Sequence, residues 1–572
     1  VIVATEDDSQ RHLATGVWGR VALDQLVAKT ATATPDRIAV ADFSDRADWT
    51  SGAARTLTYG ELHQRSDALA AFFAGVGLSP DMVVAIQMPP TTDAIAVMLA
   101  CFKAGLIVLP LPLALREADV IEAIEASGAK AIATVAQTEN ELHGERMRTV
   151  ASEVFQIRFV FGAGGDVPDG LIDLERVYEE AASLGPAPVI QRKGIAADHC
   201  ATLSLHHVLH EPAAGTEPAE AKPQAGVPLE AVPRSHNHWI ATGLMTLLEA
   251  RIEPAATIVC PFALTSLEAL GGAFMPWLLA GGTLVLGMPR STDRIAEEAA
   301  SRQASHVLVP ASFARRVAER LDAHKHEAAL IVVGRTADDP ALPRGTQAVD
   351  LVALGEHGLV ARRRSDPATP VALPIGAIGA PAGTSMAPTL IETRIQGQPQ
   401  RASRVAASDL LAGELHVRGA MVPTEAWPPR APAKGRRPRS EDGFVATGVT
   451  ARVVQPHPAA AELTGRVGEI ARIGAADVDL DQLDRLFIGV AGVLDAAAIV
   501  VYDQPGGARI AAAVVPKPGV AFDTQGYLAA LADARIGLHK MPARVYTVPA
   551  IARGPSGRVL RAGMAQHLAA RG

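Results

Sequence analysis

Aromatic residues are scarce in this chain. Phe, Trp and Tyr number 13, 5 and 5 and make up 4% of 572 residues. Their scarcity favours a core of Ala, Val and Leu over a Tyr- and Trp-rich binding surface. Cysteine is rarer still: Cys101, Cys200 and Cys260 lie far apart and cannot form a fully paired framework. A reducing compartment follows, with the cytoplasm as the default. Positive charge is not in excess, since 53 Lys and Arg against 61 Asp and Glu leave a net −8. This excludes a general attraction to nucleic acid or to anionic membrane. Long apolar runs are missing too. LIVLPLPLAL at 106–115 is broken by proline and falls short of the roughly 18–20 residues that span a bilayer. VIVATEDDSQR at the start is acidic and has no apolar stretch, so no export signal is expected there.

What is present is a globular composition, 48% hydrophobic and 20% charged, with 50 Gly and 40 Pro to make turns. At roughly 150 residues per domain the length allows three to four units. Apolar strand runs alternate with helical periodicity over 57–161: MVVAIQM (82–88), the helix TDAIAVMLACFKAG (92–105), LIVLPL (106–111), the helix EADVIEAIEASG (117–128), KAIATV (130–135) and QIRFVF (156–161). That order predicts an open α/β sheet with parallel pairing. A second sheet is expected from WIATGLMTLLEA, TIVCPF (257–262), LEALGGAFMPWLLAGG, TLVLG (283–287) and HVLVP (306–310). Two stretches rich in Pro, Ala, Gly and charge, 209–233 and 421–443, read as exposed loops. Beyond 465 the chain reads as an α+β unit, which places the best single boundary between domains 1–464 and 465–572.

The run LTYGELHQRSDALAAFFAGVGLSPDMVVAIQMPPTTDAIAVMLACFKAGLIVLPLPLAL (57–115) is similar to the start of the adenylate-forming superfamily of acyl- and aryl-CoA synthetases, nonribosomal adenylation domains and beetle luciferases. AVPRSHNHWIA (231–241), LLAGGTLVLG (278–287), GELHVRG (413–419), DGFVATG (442–448), LTGR (463–466) and PSGRVLR (555–561) resemble later landmarks of that family, in order. The resemblance implies an α/β with α+β fold. A large N-terminal domain of two stacked α/β sheets plus a small β-barrel-like part would precede a small mobile C-terminal α+β domain. It also implies a reaction in which a small carboxylic acid attacks MgATP to give an acyl-adenylate, from which a thiol, commonly that of CoA, displaces AMP. ATP, Mg²⁺ and CoA are thus implied by resemblance alone.

The same resemblance assigns candidate roles. The family's phosphate loop uses small residues to let backbone N–H groups wrap phosphates. In its place stand only scattered remnants, Gly215-Thr216 and Lys222-Pro223. VALGE (352–356) stands where the family has YGxTE. Gly355 then belongs to the nucleotide site and Glu356 to magnesium, although a lone Glu after a strand is ordinarily a solvated turn residue. Thr447-Gly448-Val449 replaces TGD. The Asp would accept hydrogen bonds from both ribose hydroxyls, and Val449 can accept none, a loss of roughly 1–3 kcal/mol. Gly465-Arg466 match the interdomain GR, whose Arg reaches ribose or phosphate; a plain surface ion pair is the alternative. Gly468-Glu469 occupy the hinge, where glycine leaves rotation free. Arg558 in PSGR takes the place of the adenylating lysine and keeps the charge with a different geometry. Pro261-Phe262-Ala263-Leu264-Thr265 stands at the aromatic gate without its His and leaves an apolar acid pocket unspecified.

Three other features have competing readings. His199, Cys200, His206, His207 and His210 are dense enough for a metal site, but the alternation in ATLSLHHVL argues for a strand. Arg362, Arg363 and Arg364, and the run at Lys434, Arg436, Arg437 and Arg439, are either solvated loops or contacts to CoA phosphates. GAGGDVPDG (162–170) lacks the GxGxxG spacing and is not a nucleotide motif. Two functions from different classes follow: a divergent acid–CoA ligase, or a family member that has lost adenylation and serves as a binding or scaffold partner.

Overall fold

A strand that is apolar on every residue needs a partner on both edges and a layer on both faces. Val83–Gln87, apolar as far as Ile86 and buried throughout, comes close to this. In the computed structural model it pairs in parallel with Ile107–Pro110 on one side and Ala131–Val135 on the other. The structure describes residues 1–139, 141–187, 189–207, 229–334, 341–384, 387–396, 412–428, 440–466, 470–474, 476–503, 507–517 and 521–552, together with 559, 561, 564, 565 and 568. Around Val83–Gln87 grows a seven-stranded sheet in the order Ile172–Asp173, Phe159–Ala163, Ala131–Val135, Val83–Gln87, Ile107–Pro110, Cys200–His207, Leu229–Ser235.

The second sheet has eight strands, in the order Gly358–Arg363, Ala348–Leu354, Ala329–Val333, His306–Pro310, Thr257–Cys260, Thr283–Leu286, Ile38–Asp42, Thr56–Thr58. Its six central strands pair in parallel, and the strands at both edges are antiparallel. This is the alternating α/β arrangement that the periodicity predicts. A six-stranded sheet follows, Leu373–Pro374, Ala459–Arg466, Val445–Pro456, Ala412–Arg418, Thr389–Gln396, Gly376–Gly379.

Helix Thr92–Lys103 is buried from Thr92 to Phe102, as its all-round apolar sequence demands, and Thr91 caps it by accepting from the Ala94 N–H. Tyr59–Gly75 starts with a capping box between Thr58 and Glu61. Beside this packing lies a buried ionic network. Arg46, wholly buried, donates to Asp42 at 2.7 Å and to Asp93 at 2.5 Å. Arg55 joins Asp93 to Glu175. Asp42 ends a strand of the eight-stranded sheet and Asp93 lies in the first turn of Thr92–Lys103, so the network ties two layers together.

By contact, residues 1–111, 127–205 and 231–465 form one compact unit, and 112–126, 206–230 and 466–572 form another. The second contains the strand pair Ile470–Ile473 and Ala476–Asp479 and the helix Leu480–Ile488. Strands Val493–Asp503, Gly507–Pro516 and Arg544–Thr547 form its three-stranded sheet. Arg561 closes a bidentate pair on Asp484 there, with contacts of 3.0 and 2.9 Å.

Three sequence expectations need correction. Residues 229–233 do not belong to an exposed loop: Leu229–Ser235 is the edge strand of the seven-stranded sheet, buried from Ala231 onward. Pro233 is tolerated because an edge strand can spare an N–H. The rest of that stretch, 208–228, lies outside the described residues. In 421–443, Met421 and Val422 are buried, and the Trp427 indole donates to the Ser127 carbonyl at 2.8 Å. Residues 429–439, with the second basic run, lie outside the description. Arg362–Arg364 form neither a solvated loop nor a free cationic patch. Arg364 is buried against Asp350, Arg363 binds the Glu249 and Ala250 carbonyls, and Arg362 faces Glu249 at 3.6 Å. Cys200–His207 is a strand, as the alternation in ATLSLHHVL argues; His199 faces the Lys193 carbonyl at 2.9 Å, and His210 lies outside the described residues. Among the described residues no group of three His, Cys, Asp or Glu is placed to hold a metal.

Candidate functional site

Strands Ala348–Leu354 and Gly358–Arg363 are antiparallel neighbours, and Leu354 pairs with Gly358. Only Gly355, Glu356 and His357 remain to turn the chain. A turn this tight demands a left-handed residue, and Gly355 supplies φ +61°. A Cβ there would lie 2.4 Å from the carbonyl oxygen of Thr447. Glycine is thus required twice over, by conformation and by space. The turn does not project into water: Glu356 is 5% exposed and His357 6%. Burial of Glu356 corrects the ordinary expectation of a solvated turn carboxylate.

Thr447, against which the turn closes, lies in the long strand Val445–Pro456. Glu414 pairs with Thr450 and His416 with Ala446, so the strand bulges between them. Gly448, at φ +74°, absorbs the bulge. The Thr447 hydroxyl donates to the Leu415 carbonyl at 2.7 Å and accepts from the Val449 N–H at 3.1 Å. The Gly448 N–H donates to the Glu414 carboxylate at 2.7 Å. Val449 is 5% exposed, so an apolar side chain sits where the resemblance calls for a carboxylate.

A residue that the sequence reading passed over completes this cluster. Arg234 is the penultimate residue of the strand Leu229–Ser235 and is wholly buried. Its Nη2 donates to the carbonyl of Glu356, and its Nη1 to that of Met421 at 3.2 Å. The guanidinium carbon lies 5.2 Å from the Trp239 ring centroid. Burial pulls its pKa down to about 10, against the raising effect of the Glu356 carboxylate; it remains charged at neutral pH. The overlooked signal is a cation inside the apolar strand run AVPRS.

Of the residues expected at a nucleotide site, the structure therefore gathers Gly355, Glu356, Thr447 and Val449, and adds Arg234. Arg466 ends the strand Ala459–Arg466, and its side chain lies outside the description. Gly468, Glu469 and Arg558 lie outside the described residues. One buried carboxylate suits Mg²⁺ in the form that travels with phosphates, because that ion keeps waters and takes one or two protein carboxylates. Glu356 fits such an ion, whereas Val449 does not fit a ribose.

The description "AMP-binding enzyme" belongs to the family model that matches residues 27–201. A 2-hydroxy-7-methoxy-5-methyl-1-naphthoate–CoA ligase of Streptomyces carzinostaticus is 24% identical over 580 residues, covering 97% of this chain and 94% of the relative. A sulfoacetate–CoA ligase of Cupriavidus necator is 24% identical over 519 residues, covering 89% and 92%. In fold, the chain is similar to an amide bond synthetase from Marinactinospora thermotolerans, with a TM-score of 0.68, 18% identity and coverage of 96% and 99%. It is also similar to the apo structure of MbtA from Mycobacterium smegmatis, with a TM-score of 0.62, 21% identity and 98% coverage of both chains.

Proposed function

The chain belongs to the adenylate-forming superfamily of acyl- and aryl-CoA synthetases, adenylation domains and luciferases, and from that premise we propose that it joins a small carboxylic acid to coenzyme A through an acyl-adenylate. The observation that carries this reading is the buried Gly355–Glu356 turn closed on Thr447. The turn brings one carboxylate, Glu356, to the register where the resemblance puts the nucleotide.

In the first half-reaction an oxygen of the acid attacks the α-phosphorus of ATP, the bond to the β-phosphate breaks and pyrophosphate leaves. In the second, the thiol sulfur attacks the acyl carbon and AMP departs. The protein's share is positioning and charge balance. Glu356 would hold Mg²⁺, which offsets phosphate charge. Arg466 would reach the ribose or phosphates, and Arg558 would approach the acid and the α-phosphate from the C-terminal domain, residues 465–572, turning about Gly468-Glu469. A guanidinium is wider than an ammonium, so adenylation is the slower half-reaction in this proposal. Coenzyme A as acceptor is supported by the names of the CoA-ligase relatives. No described helix is long and apolar enough to cross a membrane.

The test is calorimetric titration with MgATP and with AMP, followed by acid-dependent pyrophosphate exchange. Saturable binding and exchange that rises in Arg558→Lys support the reading. No heat and an unmoved melting temperature with either nucleotide refute it.

A further inference from the structure

The polar side chain of Arg234 is buried at a cost that packing alone does not call for. An apolar side chain of similar volume is usually as stable or more stable at such a position. Both hydrogen-bond acceptors of Arg234 are main-chain carbonyls, Glu356 on one segment and Met421 on another. Its Nε has no acceptor among the described residues. The position of Arg234 is fixed from both sides. The strand Leu229–Ser235 ends there, and Ser235 caps helix His236–Glu249 through a reciprocal capping box with His238. The second segment is equally constrained. Gly419 has φ +138°, and a Cβ there would lie 2.6 Å from the Leu390 carbonyl oxygen. The neighbouring Ala420 carbonyl accepts from the Trp18 indole at 2.9 Å.

We propose that Arg234 is a positioning residue of the nucleotide site: its planar fork clamps the Glu356 turn to the Ala420–Met421 segment and so fixes where the Glu356 carboxylate is presented. This inference rests on the nucleotide reading of the turn. Arginine suits the task because one rigid guanidinium reaches two carbonyls of different segments, a span that a lysine ammonium covers only in part. Its charge also stands next to Glu356 whether or not a ligand is bound. The carboxylate is thereby kept in a balanced, oriented state before the nucleotide arrives.

The experiment compares the full chain with Arg234→Met and Arg234→Lys by amide hydrogen exchange and by titration with MgATP and with AMP. In Arg234→Met, exchange should accelerate about tenfold in the segments 352–358 and 419–424 and little elsewhere, as befits one lost charged bond at each. MgATP affinity should fall by about tenfold or more, and by more than AMP affinity does, because the ion at Glu356 accompanies the polyphosphate. Arg234→Lys should restore part of both effects. Should the Met variant fail to fold, the Lys variant carries the same comparison at smaller amplitude. Unchanged exchange in both segments overturns the clamp. Accelerated exchange with wild-type affinities, or with equal losses for MgATP and AMP, reduces Arg234 to a structural residue and overturns the inference. If the wild-type protein binds neither nucleotide although the variants' exchange accelerates as expected, the clamp stands; the nucleotide reading falls, and the positioning role falls with it.

Discussion

Replacing Val449 with aspartate tests the site at its sharpest departure from the family pattern. Val449 is 5% exposed, and its N–H is already held by the Thr447 hydroxyl at 3.1 Å. The backbone that would present the carboxylate is therefore in place, and only the side chain differs. Two ribose hydroxyls donating to a carboxylate make charge-assisted bonds of about 1.5–3 kcal/mol each. Part of that is offset by desolvating the new carboxylate and by ordering the ligand. A net gain of about 1.4–2.8 kcal/mol remains, or ten- to a hundredfold in AMP affinity. The free protein moves the other way. It loses a buried isopropyl group and gains a buried charge, which together cost several kcal/mol. Titration calorimetry with AMP, and with an analogue lacking both hydroxyls, separates the contributions. The gain should appear with AMP and vanish with the analogue, while the melting temperature of the unliganded variant drops. An equal gain with both ligands, or none with AMP, would refute the placement of the ribose beside residue 449.

Two further predictions concern the scaffold. Arg46→Met should cost about 3–5 kcal/mol in urea unfolding, because it strands the buried Asp42 and Asp93 carboxylates; a loss below about 1 kcal/mol would mean that Arg55 and the backbone donors to Asp42 suffice. Burial holds the pKa of His238 down at about 3 and that of His143 at about 4. The unfolded chain, titrating near 6.5, binds the protons first, so each contributes stability that is present above that pH and is lost as the pH falls through 6.5 toward the folded value. Between pH 7 and 5 the loss is about 2 kcal/mol per histidine. His238→Gln keeps a side chain able to close the capping box with Ser235 and should remove about 2 kcal/mol of the loss between pH 7 and 5; an unchanged slope would assign it to other groups.

The strands of the parallel layers were legible because their signal is local. MVVAIQM and HVLVP are short apolar runs between turn residues, and the structure makes strands of Val83–Gln87 and His306–Pro310. Where a residue's state depends on a distant partner, the sequence was silent. The basic run 362–364 carries the composition of a loop, yet Glu249, more than a hundred residues earlier, and Asp350 turn it into the end of a strand. The edge strand 229–235 was hidden by its Pro and Glu, which an edge accommodates and a central strand does not. Register with a family motif singled out Glu356, but the turn that carries it packs against Thr447 and Arg234, which lie on other sheets. Arg234 itself left a trace, a charged residue inside the apolar run AVPRS and directly before a helix cap.

Val449 and Arg234 bear on one another through the same turn. Gly355 touches Thr447, two residues from Val449, while Glu356 is held by Arg234. Relative to the family pattern, the valine removes a negative charge from one side of the turn. The buried guanidinium supplies a positive charge on the other. The two act in one direction, making the surroundings of Glu356 more positive in a region where screening by water is weak. Such a field gains most from the end of a ligand that carries the most negative charge and least from its sugar. On the proposed reading, recognition at this turn would rest on phosphate more than on ribose, and the missing ribose acceptor would not by itself remove nucleotide binding. Replacing Val449 alone restores the sugar contact but adds a second carboxylate near the phosphates, so the affinity it gains for AMP should exceed what it gains for MgATP.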